Sequence, residues 1–138
     1  MDPVNIDGVE LTELKSSTSE DAEWSGGYLA YGGTCAEKSV VVYFAIPPGK
    51  RLGWHTDTAE ETQFIVSGSG ELLLDVGPRP VEAGDVVVLT TGMGHDLRNT
   101  GSNDLRILGF FAAPQVEQHW TKEVWEPGGL TVTGTPNR

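Results

Sequence analysis

Apolar and polar residues alternate along this chain in short runs, each closed off by glycine, proline or an Asn/Asp pair. Alternation at a period of two marks a strand with one buried face, because successive side chains leave the backbone on opposite sides. GGYLAY around Tyr28 and KSVVVYFAI from Lys38 to Ile46 are rich in the β-branched and aromatic residues that suit a pleated surface. Pro47-Pro48-Gly49 ends the second run, since proline has no N–H to give to a ladder. After a loop from Gly49 to Asp57, the segments TQFIVSG, ELLLDV, DVVVLT, HDLRNTG and LRILGFFA follow at short intervals. Strands spaced this closely predict a sandwich or barrel. No useful window carries apolar residues at helical spacing with caps at both ends, although VEQHWTKEVW has room for one turn of helix. Residues 1–23, polar and acidic, predict an arm or edge strand. Residues 38–113 predict the barrel core, and residues 114–138 an extension ending in an extended or loose tail.

A length of 138 residues with 38% hydrophobic content fills one core, so a single domain is expected, and no internal repeat breaks it up. Twenty acidic against nine basic residues give a formal charge of −11. That charge repels phosphate backbones and anionic headgroups and argues against nucleic-acid or membrane partners. The first residues are acidic where a signal peptide is basic, and no apolar run approaches the roughly 20 residues that span a bilayer, so a cytoplasmic protein is expected. Cys35, the single cysteine, has no partner for an internal disulfide and is expected as a small buried hydrophobe in a reducing compartment. An exposed first strand predicts a homodimer, with residues before Ser39 paired or exchanged between copies.

Histidine is scarce, with three in the chain, yet His55 and His95 both fall beside loops at strand edges and have carboxylates close by. Residues i and i+2 of a strand share a face, so His55 and Asp57 converge on one point. Glu61 follows across the short turn Thr58-Ala59-Glu60, and His95 closes the site from a separate strand. Two imidazoles and two carboxylates balance the charge of one divalent transition metal ion: Fe(II), Zn(II), Mn(II) or Ni(II) rather than Cu(I) or calcium. A metal-free arrangement, with the imidazoles bonded to the carboxylates, is the plainer alternative, but burying four such groups together is costly without a cation. Glu60 points to the opposite face and is expected in solvent. Gln63 shares a face with Glu61 and is placed to bind substrate or to orient a ligand. Trp24, Tyr28, Tyr43, Trp54 and Phe110 are candidates either for core or for an aromatic substrate pocket. His119, in the polar tail, is expected at the surface. Gly49, Gly68, Gly84 and Gly92 are expected in turns that need positive φ.

The spacing Gly49-x5-His55-x-Asp57-x3-Glu61-x6-Gly68 resembles the first motif of the cupins, and Gly84-x5-Thr90-x-Gly92-x2-His95-x3-Asn99 resembles the second, with eight of the ten characteristic positions kept. Thr90 stands where proline is usual. Asp57 stands where a second metal histidine is usual, which makes the set harder and more negative. The resemblance implies an all-β double-stranded β-helix, the cupin or jelly-roll barrel, with metal ligands His55, Asp57, Glu61 and His95. It also implies a small organic substrate, transformed by oxygen insertion, isomerisation, elimination or cyclisation, with Glu61 or Asp57 able to shuttle a proton. Two alternatives accompany it. One is a non-catalytic ligand-binding module on the same barrel. The other follows from the likeness of His55, Asp57 and His95 to the iron triad of 2-oxoglutarate-dependent oxygenases, with Arg106 in the place of the residue that pairs with the cosubstrate carboxylate.

Overall fold

The structure, a computed structural model, describes residues 1–136. The last two residues of the tail expected to end extended or loose lie outside the described residues. The strands, in chain order, are β1 (Thr12–Ser16), β2 (Glu23–Ala30), β3 (Val40–Ile46), β4 (His55–Asp57), β5 (Glu61–Ser67), β6 (Ser69–Leu74) and β7 (Gly77–Glu82), then β8 (Val86–Leu89), β9 (Asp96–Asn99), β10 (Leu105–Phe111), β11 (Glu117–Trp120), β12 (Trp125–Glu126) and β13 (Val132–Gly134). One wall is a seven-stranded sheet in the order β12-β1-β2-β3-β10-β5-β8. The other wall is two three-stranded sheets, β13-β11-β4 and β7-β6-β9, joined where His55 pairs with His95 and Arg51 with Arg98. All pairings between strands are antiparallel, as expected of the double-stranded β-helix.

The alternation read from the sequence is realised on β3 and β10. Val40, Phe44, Ile46, Leu105, Ile107 and Phe111 face the interior and are buried. Each fully buried aliphatic side chain of this kind is worth about 1.5–3 kcal/mol. Gly49, Gly68, Gly84 and Gly92 all adopt positive φ, Gly68 at the break between β5 and β6 and the other three at turns. Strand β7 escapes sequence reading because Pro78 and Pro80 argue against a strand; it forms at the sheet edge, where the ladder asks nothing of a missing N–H.

Several expectations need correction. Residues 1–23 are more than an arm. Leu14 and Ala22 are buried, and β1 is hydrogen-bonded on both sides within the chain, to β2 and β12, so the first strand presents no free edge. VEQHWTKEVW is not helical: it forms β11 and part of β12, whose buried Trp120 and Trp125 belong to the core cluster. Cys35 is exposed, in a left-handed turn. Among the described residues, no helix is long and apolar enough to cross a membrane.

Candidate metal centre

His55 opens β4 and His95 immediately precedes β9, and the two backbones exchange a pair of hydrogen bonds, each 3.0 Å long. Residues paired this way put their side chains on the same face, so the imidazoles lie together, ring centroids 4.2 Å apart. Asp57, two residues along β4, joins them on that face. Donor atoms of His55, Asp57 and His95 all lie within 4.8 Å of one another, and each residue is at most 4% exposed.

Hydrogen bonding assigns the protons. His55 Nδ1 lies 2.8 Å from the carbonyl of Gly53, and His95 Nδ1 lies 2.9 Å from that of Met93. A carbonyl can only accept, so both Nδ1 atoms carry the hydrogen and both Nε2 atoms present lone pairs. Burial, with the other imidazole adding to it at His55, holds both rings below the usual histidine range and therefore neutral. The bare Nε2 atoms face the Asp57 carboxylate at 3.7 Å from His55 and 3.4 Å from His95. Both Asp57 oxygens and His95 Nε2 are buried without a hydrogen-bond partner. Lone pairs gathered this closely in a dry site are unfavourable unless a cation or a proton sits among them. The residues present fit a metal ion: imidazole and carboxylate donors in a tight cluster, with each histidine oriented by a backbone acceptor.

Glu61, at the start of β5, is buried beside this cluster but outside the tight donor group. Its Oε1 accepts a hydrogen bond from Gln63 Nε2 at 3.0 Å. Its Oε2 lies against Gly109 on β10, where any larger residue would meet the carboxylate. Burial, then the charge of Asp57, raises Glu61 well above the usual carboxylate range, and burial raises Asp57 to about 7.

A cavity of about 450 Å³ opens from the site into the barrel, its wall including His55, Asp57, Glu61, Gln63 and Tyr43. Trp24 and Tyr28 also line it, whereas Phe110, Trp54 and Arg106 lie elsewhere. Phe110 pairs with Val41 and Thr62 and is 44% exposed on the outer face, while Gly109 and Phe111 take the inner face that a slip of one residue would have given it. Trp54 points away from its neighbour His55, and its indole packs over Gly94. Arg106 is also on the outer face, where Nε donates to Tyr43 Oη at 2.7 Å and the guanidinium pairs with Asp7. Turned from His55, Asp57 and His95, it cannot hold a cosubstrate carboxylate beside them, which removes the support for the 2-oxoglutarate alternative. Glu60 and His119 are exposed, the latter paired with Glu117.

Two supports of the site have no counterpart in the sequence reading. Trp120 of β11 stacks on His55, with ring centroids 4.2 Å apart. Arg51 bridges Asp21, Asp96 and Glu123. Asp96 Oδ1 in turn accepts the N–H of Gly53, whose carbonyl orients His55. The same alternation that turns His95 inward turns Asp96 outward; its burial comes from the Arg51 loop and the Glu123 segment, distant parts of the chain.

Residues 42–111, half of the chain, match the family described as Cupin domain. The Oxalate-binding protein of Thermotoga maritima is 36% identical over 64 residues, 46% of this chain; the chain spans about half that relative's length, 53%. Among solved structures, the polyketide cyclase RemF of Streptomyces resistomycificus superposes with a TM-score of 0.71 at 19% identity, covering 94% of this chain and 89% of that one. A predicted oxalate decarboxylase of Thermotoga maritima gives 0.69 at 24% identity, covering 80% and 98%. At these identities the two structures show the shared fold alone.

Proposed function

The chain belongs to the cupin family, and from that premise we propose that it is a metal-dependent enzyme acting on a small organic molecule, with one divalent ion held by His55, Asp57 and His95. The observation that carries the reading is the cluster of unpartnered acceptor atoms, His95 Nε2 and both Asp57 oxygens, buried together beside a cavity whose wall includes His55 and Asp57. Nitrogen and carboxylate donors suit Fe(II), Mn(II), Zn(II) or Ni(II). When bound, such an ion supplies Lewis-acid polarisation of a substrate oxygen.

Proton transfer falls to Glu61. It is buried, raised in pKa and held through Oε1 by Gln63, so its other oxygen can give a proton to a substrate atom or take one. A carboxyl that moves a proton beside an ion that polarises an oxygen can serve isomerisation, elimination or cyclisation. The relatives' names mention oxalate and a polyketide, and neither transfers to this chain at the identities observed.

A second copy is proposed to cover the outer face of the seven-stranded sheet. Val86, Phe64 and Leu108 form one cross-strand row there, and Val88, Thr62, Phe110 and Val41 form the next. Phe64, Val86, Val88 and Phe110 are exposed, and β8 is an open sheet edge.

The catalytic reading is tested by deuterium exchange at the carbon beside the carbonyl of 1-tetralone, followed by proton NMR with metal-loaded protein. Exchange above the buffer rate in the parent, lost in Glu61→Gln and without metal, is expected. A loaded parent no faster than buffer would leave only a binding module.

A further inference from the structure

The chamber beside the metal ligands has a composition that selects among substrates. Its walls carry Trp24, Tyr28, Tyr31, Phe44, Phe111 and Trp120, and among the described residues no lysine or arginine lines it. The ionisable side chains that line it, apart from His55 and the tyrosines, are Glu10, Asp57 and Glu61. With a divalent ion in place, Asp57 and Glu61 can at most neutralise it, so a dianionic ligand would bring uncompensated charge into an apolar chamber. Tyr28 is a neutral donor: burial first, then the negative charge of Asp57, raises its phenol, and the hydroxyl donates to Gln118 Oε1 at 3.2 Å. Gln63 Oε1 and the indole N–H groups of Trp24 and Trp120 are buried in the wall with no hydrogen-bond partner. These offer one acceptor and two donors, all uncharged, between aromatic faces.

We propose that the substrate is a neutral, conjugated molecule bearing hydroxyl or keto groups, with roughly two to three fused rings' worth of bulk for a cavity of this size. Its rings lie against the aromatic walls, one oxygen reaches the metal ligands' side of the chamber, and a second meets Gln63. Small dianions such as oxalate are excluded by the lack of any side-chain cation. The inference deepens the metal-enzyme reading and rests on it for the anchoring oxygen, whereas the aromatic and uncharged character of the walls holds with or without the ion.

The test is calorimetric titration of the metal-loaded protein with 1,3-dihydroxynaphthalene and, separately, with oxalate, the metal content of the same sample being measured. Tryptophan fluorescence follows the first ligand, since Trp24 and Trp120 stand in the wall. Binding of the diol at least tenfold tighter than oxalate is expected. Thr133→Lys, which puts a cation into the wall, is expected to narrow that preference at least fivefold. Oxalate binding as tightly as the diol to loaded parent would overturn the substrate class and leave the metal centre standing. Binding of neither ligand to loaded parent would overturn it as well. Diol binding by a protein that takes up no metal would support the class and sink the metal reading instead.

Discussion

At His55 and His95 the two ring nitrogens are divided between tasks: Nδ1–H is spent on a backbone carbonyl and Nε2 is left bare toward Asp57. Because both imidazoles are neutral, the proton that a metal must displace resides on the carboxylates. With burial raising metal-free Asp57 to about 7, the folded apo protein holds a proton there below that pH and lacks it above. Metal affinity is therefore expected to rise as pH increases toward about 7 and to level off beyond it, with proton release on binding greatest on the acid side. Calorimetry of Zn(II) or Mn(II) binding in buffers of different ionisation enthalpy measures this. A pH-independent affinity between pH 6 and 8 would contradict the assignment of the titrating group to Asp57. The convergence of His55 and Asp57 was legible from the i, i+2 rule, which depends on strand geometry alone, and that of His95 from the resemblance to the second cupin motif. Phe110 was misplaced because choosing between adjacent residues needs the register of β10, which its partner strands fix: Ile107 opposite Phe44, Phe110 opposite Val41.

The strands β4 and β9 hold the site through their support as much as through their own residues. Asp96 accepts the N–H groups of Gly53 and Leu97 at 2.7 Å each and pairs with Arg51, tying the loop before β4 to the start of β9. Gly53 sits at φ +95, a conformation open to glycine, and its carbonyl is the acceptor that fixes His55. Asp96→Asn keeps the shape but weakens the charge-assisted bonds, and is expected to lower metal affinity by about 10–100-fold while the folded far-ultraviolet spectrum is kept. Competition with a chromophoric chelator reads the affinity; an unchanged value would show that the Arg51 network serves the fold and not the site. This network was invisible in sequence because Asp21, Arg51, Asp96 and Glu123 are brought together only by closure of the barrel. The short strands β11 and β12 were missed for a related reason: two to four residues carry too little alternation to register, and pairing partners define them.

For the whole molecule, the resemblance carried by the glycines and ligands of the two motifs anticipated the barrel, while the place of both chain ends was not legible. Leu14, Ala22, Trp120 and Trp125 come from segments read as arm and extension, yet they complete one core cluster, because a barrel of this size needs both ends to close over its aromatic interior. With β1 already flanked, the dimer proposed here rests on β8 and the outer face of its sheet. Light scattering is expected to give twice the 14.8 kDa of one chain, and Val88→Lys, at a position 53% exposed, is expected to give the monomer with its fold intact. A monomeric parent would refute that interface. The most direct test of the whole account is elemental analysis of protein purified without affinity tag or chelator, beside the His95→Ala variant. About one equivalent of Fe, Mn, Zn or Ni in the parent and none in the folded variant is the result predicted. A parent empty even after reconstitution, or a variant that keeps its full equivalent, would contradict it.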